Sequence, residues 1–200
     1  TRSASLGSSS GSAVSVSTNL VMASLGEETR ASTRGPANHN AVALILPHKA
    51  LLGFDGGAIG ADIYCDRTGI HCRTILDCAK VLDALKDPDE GYYDPRDPFT
   101  TVPRSSVLPV PYGTFANTPG LQGALTGTRI GVIRESMVFH PNSKAEGPIV
   151  TSAIQEIKSV LGHQLGATLV ESSDPLWPRD TDLEVMKTDF RGALARLVPI

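Results

Sequence analysis

No run in this chain approaches the ~18 consecutive apolar residues that a membrane-spanning helix requires, and no charged-then-apolar leader opens it. Cysteine is scarce. Cys65, Cys72 and Cys78 are odd in number and include no C-x-x-C pair, which argues against a disulfide framework and against a zinc knuckle. All three read as buried free thiols in a reducing compartment, so the expected location is cytoplasmic. The five histidines are dispersed without an H-E-x-x-H or comparable spacing, so no metal is expected and each reads as structural or surface. Neither sign of charge dominates. The net charge is −3 with 20% charged residues, which suits neither a nucleic-acid track nor an anionic membrane surface. The glycine-rich loop GFDGGAIG at Gly53–Gly60 lacks the G-K-[ST] of a P-loop and the G-x-G-x-x-G of a dinucleotide fold, so no cofactor is expected. No internal repeat is visible. What remains is an ordinary globular composition, 40% hydrophobic over 200 residues, enough for one good core or two small ones.

The informative stretch is Gly7–Pro36, GSSSGSAVSVSTNLVMASLGEETRASTRGP. Residues 1–11 alone would pass for a flexible linker. Residues 12–36 argue otherwise, because a linker is not continued by helix, strand and turn at fixed offsets. Ser12–Asn19 is small and mixed, as a helix packed closely against a backbone-rich site would be. Val21–Leu25 reads as a short buried strand ending at Gly26. A second turn runs from Gly26 to Pro36, and Pro36 and Ala37 suit the first turn of a helix. Ser32 precedes that start, where backbone N–H groups are unpaired and the potential is positive.

Beyond it, Ala41–Pro47 (AVALILP) is a continuous apolar run, the pattern of a strand covered on both faces. Ile75, Leu76, Ala79, Leu82 and Leu85 recur at helical spacing and predict an amphipathic helix over Thr74–Leu85, with Thr74 able to cap it and Arg73 able to pair with a carboxylate. Lys86–Pro119 is dense in proline, which excludes a long helix or a central strand and reads as a surface excursion. Then come a strand over Thr128–Arg134, a polar loop over Glu135–Pro148, and an amphipathic helix over Ile149–Leu165. The apolar face of that helix is Ile154, Ile157, Val160 and Leu161; Gly166-Ala167 ends it, and Thr168–Glu171 begins another strand. Strand, helix and strand in this order predict a parallel βαβ unit. Loop and helix are expected from Asp174 to Ile200.

The two serine turns resemble the amidase signature family, serine hydrolases that cleave amides with a Ser-Ser-Lys triad. In that family a GGSSGGS segment carries a bridging serine on a cis peptide bond, and a TDTGGSIR-like segment carries the nucleophile. Without gaps the bridging serine falls on Ser8 and the nucleophile on Ser32. A family D-x-x-G-P-x-x-R-T-x-x-D pattern is matched at Asp66, Gly69, Arg73, Thr74 and Asp77, with Ile70 replacing the proline; these read as scaffold contacts. The resemblance spans most of the chain and is strongest over residues 7–85. It implies an α/β fold with a mixed β-sheet core covered by helices on both faces. All 200 residues would then form part of one amidase domain: the signature core over 1–85, the proline-rich excursion over 86–124, and a βαβ continuation over 125–200.

It also implies a chemistry. Ser32 would attack the carbonyl of a small-molecule amide while Ser8 relays its proton toward a lysine. Backbone N–H groups of Thr29, Arg30, Ala31 and Ser32 would form an oxyanion hole, with Glu28 and Arg34 pairing to hold the loop. The sequence departs from the family at three places. Arg30 and Ala31 stand where two glycines are common, which either narrows the site or favours an anionic substrate. Ser10 replaces a glycine. The family lysine lies several dozen residues before the Ser/Gly cluster, whereas the lysines here begin at Lys49 and match nothing. The chain is therefore expected to be a fragment, completed by another segment of the same protein or another chain, with a homodimer possible. The leading expectation is an amidase acting on a non-peptide amide through an acyl-enzyme. Two alternatives stand beside it: a glutamyl-tRNA amidotransferase-type subunit, and a catalytically inactive amidase-like binding protein.

Overall fold

Polar residues occupy the centre of the sheet on which the serine turns stand. The computed structural model describes residues 5–52, 65–86, 104–116, 122–133 and 147–172, and the chain divides into two compact units, Thr1–Thr118 and Pro119–Ile200. In the first unit, strand β1 (Ala23–Glu28), strand β2 (Ala43–Ile45) and strand β3 (Arg67–Cys72) form an antiparallel sheet in the order β1-β3-β2. Its register pairs Gly26 with Gly69, Glu28 with Arg67, and Leu44 with His71.

The central strand β3 was not legible in the sequence. Its RTGIHC run carries only a faint apolar alternation, at Ile70 and Cys72, yet its last four residues are buried. Alternation of side chains places Ile70 and Cys72 on one face of the sheet and Gly69 and His71 on the other. On the first face, Ile70 and Cys72 join Leu52, Cys78 and Leu82 in a buried cluster with helix α3 (Ile75–Leu85). Burying these side chains contributes about 1.5–3 kcal/mol for each large one. Helix α3 starts as expected: Thr74 Oγ1 accepts the N–H of Asp77 at 3.1 Å, capping the first turn. Asp83 on α3 receives the N–H groups of Tyr112 (2.8 Å) and Gly113 (2.9 Å), tying down helix α4 (Gly113–Ala116), and it pairs with Lys86 at 3.0 Å. Burial works to raise the Asp83 pKa, but these donors outweigh it and hold the carboxyl below its ordinary value.

The second face carries helix α1 (Ser10–Ser17), which buries Ala13 and Val16, and the start of helix α2 (Arg34–Asn40), which buries Pro36 and Ala37. The left-handed Ala41 (φ 50°) ends α2 and turns the chain into β2.

Several expectations need correction. The strand after α1 lies further along than the apolar run suggested, at Ala23–Glu28, with Met22 76% and Leu25 49% exposed. Glu27 and Glu28 disguise it, because the Glu28 carboxyl is buried and hydrogen-bonded within the fold and Glu27 is half-buried, where carboxylates usually face solvent. Arg73 donates to the Val21 carbonyl at 3.2 Å, so it helps hold the entry to β1 through a backbone acceptor. Cys65 is exposed, while Cys72 and Cys78 are buried free thiols. Burial and the neighbouring Cys78 thiol push the Cys72 thiol up to about 12, which makes it inert. The Gly53–Gly60 loop, most of the proline-rich stretch, the loop over 135–146 and the tail beyond Asp174 lie outside the described residues.

The second unit pairs strand β4 (Arg129–Ile133) with strand β5 (Thr168–Ser172) in parallel, Arg129 opposite Thr168, as the strand–helix–strand order predicts. Between them runs helix α5 (Gly147–Ser159), continued by a wider π turn over Val160–Gln164. Ile157, expected on the buried face, is 57% exposed. Gly166 (φ +81°) closes the helix where a Cβ would come within 2.8 Å of Thr126 Oγ1. No helix among the described residues is long and apolar enough to cross a membrane.

Candidate active site

The first serine turn is held by hydrogen bonds of its serine hydroxyls, two of them to β1. The peptide bond between Gly7 and Ser8 is cis. Ser8 is exposed and lies just before α1. Ser9 anchors the turn: its Oγ donates to the Glu27 carbonyl at 3.0 Å and accepts the Glu27 N–H at 3.1 Å. This bridge requires close approach, since a Cβ on Gly26 would lie 2.8 Å from Ser9 Cβ and Oγ. Ser10 Oγ, where the family has glycine, donates to the Leu6 carbonyl at 2.9 Å and Ser12 Oγ to the Leu25 carbonyl at 2.8 Å.

The second turn is organised by one buried carboxylate. Glu28, at the end of β1, is fully buried. Its Oε2 accepts the N–H of Thr33 (3.0 Å), the hydroxyl of Thr33 (2.9 Å) and the N–H of Arg34 (3.0 Å). Those N–H groups belong to the start of α2, so the carboxylate satisfies donors that a helix leaves unpaired. Its Oε1 takes Arg34 Nε at 2.6 Å and faces Arg67 Nη2 at 3.6 Å. Burial acts to raise the Glu28 pKa, but the Arg34 and Thr33 donors outweigh it and hold it below the ordinary carboxylate value.

Peptide planarity then fixes where the loop's N–H groups point. In a trans peptide the carbonyl of one residue and the N–H of the next point in opposite directions. Arg34 Nη2 donates to the Arg30 carbonyl, which turns the Ala31 N–H away from Arg34. The N–H of Gly35 donates to the Ala31 carbonyl at 2.9 Å, turning the Ser32 N–H away from α2. Among the described residues no hydrogen bond takes the N–H of Arg30, Ala31 or Ser32. The side chains of Arg30 and Ala31 are exposed and that of Ser32 is half-buried.

The two turns meet through the backbone: the N–H of Ser9 donates to the Ser32 carbonyl at 3.0 Å. Ser8 and Ser32 are thus each within one residue of a shared hydrogen bond. Thr33 packs directly on the sheet, because a Cβ on Gly69 would lie 2.8 Å from its Cγ2.

Behind Thr29 sits a polar group that the sequence did not reveal. Thr29 Oγ1 lies 2.6 Å from Asp66 Oδ1 and 3.1 Å from Glu27 Oε1. One hydroxyl proton serves one acceptor at a time, and the shorter contact is the one to Asp66. Burial, followed by the charge of Asp66, raises the Glu27 pKa against the opposing Thr29 bond. Lys49 Nζ donates to the Asp66 carbonyl at 2.7 Å, so this lysine braces the scaffold behind the loop. Among the described residues no group of three His, Cys, Asp or Glu side chains could hold a metal ion.

Comparison with known proteins identifies the family and the fold. The family model described as Amidase matches residues 2–189. A probable amidase of Arabidopsis thaliana is 35% identical over 162 residues, covering 78% of this chain and 30% of the plant protein. A glutamyl-tRNA(Gln) amidotransferase subunit of Latilactobacillus sakei is 34% identical over 171 residues, covering 84% of this chain and 30% of the bacterial protein. Among solved structures, the native peptide amidase from Stenotrophomonas maltophilia superposes with a TM-score of 0.62 at 29% identity, over 97% of this chain and 36% of that enzyme. The chain therefore spans about a third of the length of these relatives.

Proposed function

Since the chain belongs to the amidase family, we propose that the protein containing it hydrolyses the carbon–nitrogen bond of a small linear amide through a serine acyl-enzyme. Ser32 is the nucleophile. Its Oγ attacks the amide carbonyl as its proton passes to Ser8 and on to a lysine elsewhere in that protein. A lysine can take that proton only when desolvation or neighbouring charge lowers its pKa. The N–H groups of Thr29, Arg30, Ala31 and Ser32 receive the developing oxyanion, where preorganised donors in a water-poor site lower the barrier most. Collapse of the tetrahedral species expels the amine, which takes up the relayed proton. Water then hydrolyses the ester on Ser32 by the same route in reverse.

The observation that carries this reading is the direction of the loop at 30–32. Its carbonyls are tied back by Arg34, Gly35 and Ser9, which leaves the Ala31 and Ser32 N–H groups free beside the Ser8 turn. Glu28 and Arg34 hold that loop in place.

A second reading is supported by the similarity to the glutamyl-tRNA(Gln) amidotransferase of Latilactobacillus sakei. There the same acyl-enzyme chemistry would release ammonia for a charged tRNA, with partner subunits. One experiment separates the readings. The full-length protein is given simple amides or glutamine with hydroxylamine present, and acyl transfer is read as hydroxamate. The amidase reading expects hydroxamate from simple amides without any partner. Dependence on glutamine and partner subunits would favour the amidotransferase. Absence of hydroxamate from every donor would favour an inactive binding protein.

A further inference from the structure

His71 is fully buried on the face of β3 that carries the serine turns. Its Nε2 lies 3.2 Å from the Thr33 carbonyl oxygen. A Cβ on Gly26 would come within 3.1 Å of His71 Cε1 and 2.8 Å of Ser9, so the ring also stands against the Ser9–Gly26 contact. It is therefore wedged between the residue after Ser8 and the residue after Ser32. A carbonyl only accepts, so Nε2 carries the proton and donates. Nδ1 is then a buried nitrogen without a hydrogen bond of normal geometry. Burial pushes the ring's pKa down, opposed by the backbone of Thr33 and Ser24. An apolar side chain of the same volume would leave no orphaned nitrogen. Packing alone does not explain a histidine here.

We propose that His71 is a positioning residue: its Nε2–H fixes the Thr33 carbonyl and thereby the orientation of Ser32 against the Ser8 turn. The inference rests on the reading of Ser32 as nucleophile. Glu28 grips Thr33 by its N–H and hydroxyl, and Ala37 donates to its carbonyl at 2.9 Å along the helix. His71 supplies the grip from the sheet side. Through it, β3 is coupled to the catalytic turn by more than contact.

The test compares His71→Met, which keeps the volume and loses the donor, with His71→Gln, which keeps a terminal donor. Both are made in the full-length protein. The readouts are the rate of fluorophosphonate labelling at Ser32, the split between kcat and KM on one amide, the melting temperature, and hydrogen exchange at the Thr33 and Arg34 amides. The Met variant is expected to melt at or above the wild-type temperature and to exchange those amides faster. It should also label about 10-fold more slowly, with kcat lowered and KM unchanged, as misplacement of a reacting group predicts. The Gln variant should stay within about 3-fold of wild type in labelling. A Met variant that labels and exchanges like wild type overturns the proposal, as does one that fails to fold. Equal losses in both variants with equal falls in melting temperature overturn it as well, since a purely structural role predicts them. A wild-type protein that labels nowhere defeats the nucleophile reading alone. The exchange contrast between Met and Gln then decides the positioning claim by itself.

Discussion

The turns bearing Ser8 and Ser32 meet at one hydrogen bond but are held by different physics. The Ser8 turn is fastened by neutral groups, the hydroxyls of Ser9, Ser10 and Ser12 on backbone carbonyls. The Ser32 turn hangs on a charge: one buried carboxylate, Glu28, gathers two backbone donors, a hydroxyl and two arginines. Neutral contacts of this kind contribute about 0.5–1.5 kcal/mol each and are indifferent to pH and salt, whereas hydrogen bonds to charged groups contribute about 1.5–3 kcal/mol. The loop that would meet the oxyanion is thus the more strongly held and the more easily perturbed by charge.

The largest expected effect concerns the serines themselves. Ser32→Ala should lower kcat by at least about 10³-fold, and Ser8→Ala should cut it severely, with thermal melts of both unchanged. A melting shift in either would mean that its hydroxyl holds the turn as well. Next is Glu28→Gln. It keeps the shape but removes the charge facing Arg34 and Arg67, and should cost about 2–4 kcal/mol by denaturant titration. Ser9→Ala, the matching cut in the other turn, should cost about 1 kcal/mol. Equal costs would erase the distinction between the turns.

Steric changes should not distinguish them. Gly69→Ala would press on Thr33, and Gly26→Ala on Ser9, each at 2.8 Å. Both should cost about 1–3 kcal/mol by overpacking, read in the same denaturant titration. Acid sharpens the contrast. Glu28 has its folded pKa below the unfolded value near 4.5, so its contribution is complete above that value and fades as pH falls through the folded one. Melting curves of wild type and Glu28→Gln should therefore converge as pH drops below that value, while wild type and Ser9→Ala stay parallel. The smallest effect belongs to Lys49. Lys49→Ala removes the bond to the Asp66 carbonyl and should cost about 1 kcal/mol while leaving kcat nearly unchanged. A large fall in kcat would make Lys49 the missing base.

What the sequence disclosed follows the same division. Local features were legible: the cap at Thr74, the helical spacing from Ile75 to Leu85, the β4–α5–β5 order, and two serines at family spacing. What it hid lies where polar residues are buried. Strand β3 gives only a faint strand pattern because Ile70 and Cys72 are its only apolar positions, while its other buried face carries Gly69 and His71. Glu28 has the character of a turn residue, although it is the end of a strand. The Glu27–Thr29–Asp66 cluster joins positions far apart in the chain and gives no local signal. The one cue was the placement of Asp66, Gly69 and Arg73 in a family pattern, which marked them as scaffold without saying what they touch.

The central claim is that Ser32 is the activated hydroxyl. The direct measurement is to treat the full-length protein with a fluorophosphonate probe and map the adduct by peptide mass spectrometry. The account predicts a single adduct on Ser32, formed quickly, lost in Ser32→Ala and strongly slowed in Ser8→Ala. An adduct on another serine, or none on a folded protein, would contradict it.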